Sequence, residues 1–487
     1  MAGISIRLEK LLKNKNYTSN IAGYLVTTFA VAGPWIITIV VLSVFSALFS
    51  EEIRYSLDYQ IFNSSILYGF IFSQIITVPF QFIVTRYLAD EIYRNRTEFI
   101  KPTYLGLLNV VFVISAIVAG IIFFRGDVPL FVKVMSSYFL IVTTMVWVSA
   151  FFLSALGDFM FLGKAFLTGA VLGFLSYLVT SQVVPPGDFQ VSIIGLTLMI
   201  VSMTTIFIMV SYKILTFLTE SNGCSYDFIR SFSDYPSLFF VGLFYVIGLW
   251  IDKFLIWTSD LSMSVAGYLQ MAPAYDQASF ILNLFIIPSN VLFLSLVEVE
   301  FIGFYRKYFE KTREGTYADI KSARFDMRKE LFINIFKIVL VQTVICMFLY
   351  LFVDQIFSIV GFDVTTKQIF VNMLPGLVFY TFIIISVVLF LYFEERIKAV
   401  SVALGFLILN GLFTFYYLQF GTSNYGLGFT IAAIVINILA IIYMVKMVNQ
   451  IDYKIFGVKT TLYIKRKTLF TRIADRLRVK KGVNVDE

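Results

Sequence analysis

The sequence predicts an all-α polytopic membrane protein: about twelve transmembrane helices in two six-helix lobes, with both termini cytoplasmic. Three observations carry this. Only 14% of the 487 residues are charged and 59% are hydrophobic, whereas a soluble domain carries roughly 25% charged residues. Windows 16–50, 59–85, 102–124, 134–157, 165–187, 189–212, 277–297, 368–393 and 399–445 hold no Asp, Glu, Lys or Arg, and about 20 apolar residues suffice to cross a bilayer. The basic residues also fall on one side of the spans so defined. Soluble α/β, β-barrel and disordered classes are excluded.

The spans read as 20–49, 60–86, 103–124, 130–155, 164–184, 189–213, 236–259, 277–299, 331–353, 368–393, 398–419 and 425–447. With this assignment 33 of the 38 Lys and Arg lie on the side of the N-terminus. Four (Arg54, Arg125, Lys133 and Lys367) lie opposite, and Lys253 is inside a span. Such asymmetry predicts a multi-pass protein of the plasma (inner) membrane, N-in and C-in. An odd number of spans would scramble it. The net charge of +7 is then a feature of topology, and no nucleic-acid partner is expected.

In chain order, residues 1–19 form a basic amphipathic helix, with Ile4, Leu8, Leu11 and Leu12 on one face and Arg7, Lys10 and Lys13 elsewhere around it. That pattern suits a helix lying on the inner leaflet rather than a cleavable signal; the plainer reading is a positive-inside anchor. The N-lobe follows (20–216, spans one to six), then a cytoplasmic linker (217–235). The C-lobe (236–449, spans seven to twelve) carries a basic cytoplasmic loop at 301–330. The tail, 450–487, is basic, and anionic lipids are expected partners of both the tail and the N-terminal helix. The sequence has no histidine and two cysteines, Cys224 in a polar loop and Cys346 in an apolar run. No His–metal site, Ser-His-Asp triad or structural disulfide is expected, and no catalytic residue, metal or cofactor is assigned.

The halves echo each other. Gln74-x4-Pro79-x-Gln81 in span two recurs as Asn283-x4-Pro288-x-Asn290 in span eight; Gly33-Pro34-Trp35-Ile36 matches Gly248-Leu249-Trp250-Ile251, and Lys164-Ala165 matches Lys398-Ala399. Amides seven apart share a helix face, and each pair brackets a proline that weakens the backbone ladder. Gly33, Pro34, Trp35, Pro79 and Pro288 are therefore candidate bend or gating positions. Six spans per unit give parallel repeats, an arrangement in which transporters bind solute between the halves. A duplicated channel or a two-lobed scaffold is the alternative.

Polar groups inside the spans mark the candidate path. Asp252 lies about 24 Å along span seven from Pro236, next to Lys253, between Trp250 and Trp257. Ionisable groups at that depth are costly and face a bundle interior or a wet cavity. Neighbouring residues project about 100° apart, so the two predict separate partners. Two readings stand: these residues line a solute path, or Asp252 is a structural hydrogen-bond partner and Lys253 snorkels. Gln74, Gln81, Asn283 and Asn290 are candidates for binding sugar hydroxyls and acetamido groups, or else interhelical glue. Asn109, Gln342, Asn410 and Asn437 read as glue.

Several strings together resemble one family. Met1-Ala2-Gly3-Ile4 with Leu8, Lys10, Leu11 and Leu12, Gly33-Pro34-Trp35, Arg86-Tyr87-x2-Asp90, Tyr235-Pro236-Ser237, Gly248-x-Trp250-Ile251-Asp252-Lys253, Ala272-Pro273-x-Tyr275-Asp276, Glu298-x2-Phe301 with Tyr305, Leu391-Tyr392-Phe393 and Gly426-x-Gly428-Phe429 are similar to the PelG family. These are inner-membrane exporters of Pel-type exopolysaccharide systems, a branch of the multidrug/oligosaccharidyl-lipid/polysaccharide flippase superfamily. The resemblance implies export of a hexosamine-rich polymer or lipid-linked sugar. It also implies a cytosolic glycosyltransferase and other membrane subunits of a Pel-like synthase complex as partners. The competing readings are a cation-coupled drug or lipid antiporter of the same superfamily, a non-transporting scaffold for the glycosyltransferase, and a membrane glycosyltransferase or acyltransferase. The antiporter is disfavoured because spans one to six have no acid in their interiors. The enzyme lacks a clustered acid–base site and a soluble domain to hold a nucleotide-sugar.

Overall fold

A computed structural model describes residues 53, 56–185, 187–217, 225–360, 363–453, 456 and 471–472. Among them, eleven helical segments are long and apolar enough to cross a membrane. The first expected span (20–49), with Gly33, Pro34 and Trp35, lies outside the described residues, as do the N-terminal segment, Cys224 and most of the tail.

The first group of helices comprises α1 (Leu57–Tyr93), α2 (Ile100–Phe123), α3 (Leu130–Ala155), α4 (Phe159–Val183) and α5 (Gln190–Phe217). Ser56 caps α1 by accepting from Tyr59 N at 3.2 Å. Asp58, in its first turn, accepts from Val191 N and Ser192 N at 2.6 and 2.9 Å, so a carboxylate satisfies the free amides that open α5. Helices α4 and α5 meet at Gly169 and Gly173, where any Cβ would fall within 3 Å of Ser202 and Leu198 carbonyls. Small residues at such crossings let backbones approach where lipid offers no hydrophobic drive.

The second group begins with α6 (Pro236–Ile256), followed by an antiparallel hairpin of β1 (Met263–Val265) and β2 (Leu269–Met271) in register Ser264↔Gln270. Its turn places Ala266 and Gly267 at positive φ, the twist that tight hairpins favour. Next come α7 (Pro273–Leu284), α8 (Ile287–Phe293), a π-helical stretch (Leu294–Phe301), α9 (Ile302–Glu314), α10 (Tyr317–Leu351), α11 (Val353–Val360), α12 (Val364–Tyr392), α13 (Arg396–Tyr417) and α14 (Leu427–Asn449). Amide side chains tie these helices together. Asn410 donates to Gly248 O at 2.9 Å, Asn437 to Phe379 O at 2.6 Å and Asn334 to Leu296 O at 3.1 Å. Gln342 accepts from Ser289 at 2.6 Å. Asn109, expected to act likewise, is exposed instead.

Two expectations need correction. The stretch 301–330 is not a loop: α9 and α10 run through it and meet at Gly315-Thr316. Thr316 and Asp319 form a reciprocal capping box there, which satisfies the first amides of α10 and lets the helix start well before its apolar portion. The hairpin is pinned further by Tyr308 and Arg324, both bonded to Asp452. Asn283 and Asn290 do not stand on one continuous helix, because a turn at 285–286, just before Pro288, separates Pro273–Leu284 from Ile287–Phe293. Pro79 behaves differently and sits within the unbroken α1.

Candidate functional site between the lobes

Helices α1 and α6 run antiparallel and form the seam between the two groups. From one end to the other, Tyr68 meets Trp257, Phe72 meets Phe254 (centroids 6.0 Å apart), Val78 and Pro79 meet Gly242, and Arg86 and Asp90 meet Tyr235. A Cβ at Gly242 would lie 2.8 Å from Val78 O and 2.9 Å from Pro79 Cα. Backbone contact there requires a residue without a side chain. Tyr68 and Arg86 are about 27 Å apart along α1, close to the thickness of a hydrocarbon core.

At the Tyr68 end a buried polar cluster lies beside the seam. Asp252, Lys253 and Asp276 are 2%, 3% and 7% exposed. As the 100° separation predicts, Asp252 and Lys253 have different partners. Asp252 Oδ2 accepts from Tyr275 OH at 2.6 Å, while Lys253 Nζ lies 3.6 Å from Asp276 Oδ1 and 5.3 Å from the centre of the Trp250 ring. Asp276 also accepts from Trp257 Nε1 at 3.2 Å and from Ala272 N at 2.9 Å. The other Asp252 oxygen, Oδ1, has no protein hydrogen-bond partner among the described residues. Two carboxylates against one ammonium leave the cluster with a formal deficit of one positive charge.

The opposite lobe closes over this cluster with an aromatic ring. Tyr68 stacks on Trp257, centroids 4.8 Å apart and planes 11° from parallel. Its hydroxyl donates to Gln270 O at 2.9 Å and accepts from Gln270 N at 3.0 Å, binding the β-hairpin to α1. The hairpin's Tyr268 packs on Gly126, in the turn between α2 and α3, where any Cβ would collide with the ring.

The structure thus brings Trp250, Asp252, Lys253 and Trp257 into one neighbourhood. The amides are not part of it. Gln74 is buried on α1, Gln81 is exposed, and Asn283 and Asn290 are half-buried on either side of the helix break. Pro79 lies on the seam, whereas Pro288 is exposed. Tyr68, Tyr275 and Asp276 complete the cluster without having been candidates. A signal existed for two of them: Tyr275-Asp276 stands directly before the charge-free window 277–297, in the first turn of α7. Tyr68 carried none, being one of 28 tyrosines.

Comparison with solved structures gives the fold. A crystal structure of MATE in complex with MaL6 matches with a TM-score of 0.60 at 12% identity, covering 88% of this chain and 95% of that one. An outward-facing multidrug resistance MATE family transporter of the MOP superfamily gives 0.56 at 14% identity, covering 88% and 96%. A MOP superfamily transporter from Pyrococcus furiosus gives 0.54 at 12%, covering 88% and 96%. No curated protein sequence matches the chain. A family model described as PelG, "Putative exopolysaccharide Exporter (EPS-E)", matches residues 1–456. With nearly the whole length matched and a MATE-like fold beneath it, the chain belongs to the PelG family of membrane transporters.

Proposed function

We propose that the protein exports a Pel-like, hexosamine-rich exopolysaccharide across the plasma membrane by alternating movement of its two lobes, with the polymer supplied by a cytosolic glycosyltransferase. The observation that carries this reading is the buried Asp252–Lys253–Asp276 cluster beside the Tyr68–Trp257 stack at the lobe seam. Carboxyl groups that formally outnumber their cation by one suit a solute bearing hydroxyl and amino groups. Flat aromatic faces suit the apolar faces of sugar rings. Buried charge of this kind costs stability unless it serves a purpose. Family membership supports the solute class, and the fold supports two-lobe movement.

The test uses Asp252→Asn and Lys253→Met, scored for monodisperse membrane-extracted protein and for secreted polymer. Folded variants that lose export put both residues on the path. Folded variants that secrete normally remove them from it. The orientation is tested separately by reporter fusions: residues 95, 315 and 470 inside, and 55, 187 and 422 outside. An external 315 would sink the N-in arrangement, because the most concentrated basic stretch adjoins it.

A further inference from the structure

We propose that Arg86, Tyr235, Glu394 and Arg396 form a gate that holds the far end of the seam shut and parts when solute enters between the lobes. The Lys and Arg distribution assigns this end to the cytoplasm, so it is the inner gate. Its purpose rests on the exporter reading above, whereas its existence rests on packing alone.

Arg86, on α1, reaches across to Glu394, in the turn between α12 and α13, at 3.0 Å. It also lies 3.4 Å from Asp90 on its own helix. Tyr235, immediately before α6, has two guanidinium groups over its ring, with Arg86 5.4 Å and Arg396 4.4 Å from its centre. The Tyr235 hydroxyl donates to Asp90 at 3.5 Å, and Arg396 holds Glu394 with bonds of 2.5 and 2.9 Å. Two arginines face one aspartate and one glutamate. The charges balance, so the cluster offers no surplus to an anionic ligand; it is a clasp rather than an anion site.

The backbone under Glu394 points the same way. Helix α12 ends with Glu395 N bonded to Phe390 O at 2.7 Å and Glu394 N to Leu391 O at 3.2 Å. This closure places its central residue in the left-handed region and favours glycine. Helix α3, the fourth span as α12 is the tenth, ends identically, with Asp158 N on Leu153 O and Gly157 N on Ser154 O. There the left-handed residue is Gly157, at φ 80°; in α12 it is Glu394, at φ 58°. A side chain is carried where the matching turn of the other half has none, and that side chain is the one that crosses to the opposite lobe. Strain retained in this way marks a functional position.

A cavity of about 180 Å³ lies against the bridge, lined from both lobes by Phe82, Thr85, Arg86, Leu238, Tyr392 and Arg396. Parting Arg86 from Glu394 widens a space that already exists. The clasp is weak enough for this. An ion pair between half-exposed groups shifts an equilibrium by roughly two- to fivefold, which suits a contact that breaks in every cycle.

The experiment measures access to the cavity, without reference to any solute. In full-length protein with Cys224→Ala and Cys346→Ala, a reporter is introduced by Thr85→Cys. Its alkylation by a charged maleimide is timed in lipid nanodiscs, with Tyr93→Cys as a fully accessible control. Arg86→Gln and Glu394→Gln should each speed labelling of the Thr85 position roughly two- to fivefold. The double variant should fall short of the product of the two singles, since both remove the shared Arg86–Glu394 bridge. Glu394→Gly, which fits the backbone better, guards against misfolding and should give the same acceleration. Unchanged labelling in these folded variants, or effects that multiply in the double, overturns the gate. Faster labelling in a protein that secretes no polysaccharide upholds the gate while the exporter reading fails.

Discussion

At one end of the α1–α6 seam, Lys253 and Asp276 keep 3% and 8% of their side-chain surface in water; at the other, Arg86 and Glu394 keep 41% and 46%. Both ends join a carboxylate, a cation and an aromatic ring. The surroundings set their behaviour. A buried pair has given up its hydration, so losing one partner strands the other and costs several kcal/mol. A half-exposed pair trades its partner for water at little cost. The Lys253–Asp276 pair, which lies within the second group, is therefore built to persist, whereas the Arg86–Glu394 pair, which crosses between the groups, gives up its partner at little cost.

The largest test of that contrast is Asp276→Ala. It leaves Lys253 buried beside Trp250 without its carboxylate partner, and we expect a loss of about 3–5 kcal/mol, seen as a collapse of folded, monodisperse protein. Normal yield and melting temperature would show that Lys253 is not held by Asp276. Next is Gly242→Leu at the middle of the seam. The new side chain has to displace the α1 backbone at Val78–Pro79, at about 1–3 kcal/mol of overpacking. Thermal unfolding in detergent measures this, and an unperturbed melting curve would mean that the helices do not stay in contact.

A smaller effect is expected from Tyr68→Phe. The ring keeps its stack on Trp257 but loses both bonds to Gln270, worth about 0.5–1.5 kcal/mol each. Hydrogen exchange at β1–β2 should rise while α7 stays protected; equal exchange in both would separate the hairpin from the seam. The smallest is Glu394→Gly. It gives up the bridges to Arg86 and Arg396, each worth about 0.2–1 kcal/mol, and relieves a left-handed side chain that costs about 1–2 kcal/mol. We expect a melting temperature equal to or above that of the parent. A clear fall would mean that Glu394 carries stability and not only closure.

The amino-acid sequence by itself determined the class and, for the eleven spans among the described residues, their order, because apolar length is a property of consecutive positions. It also singled out Asp252 and Lys253, since charge within an apolar run is costly wherever the helix packs. The separate partners of these two residues followed from helix geometry alone. The identity of those partners did not. Tyr68 and Gln270 stand 202 positions apart, and their pairing depends on the rotation of α1 about its axis and on its crossing with α6. The same holds for Glu394, an unremarkable acid at a span end until the turn beneath it is known to be left-handed and Arg86 is found opposite. The amides at Asn283 and Asn290 show the converse: their spacing presumed one continuous helix, and a turn at 285–286 interrupts it. Periodicity along a chain is a local matter of 3.6 residues per turn; which faces meet is decided by the packing of whole helices.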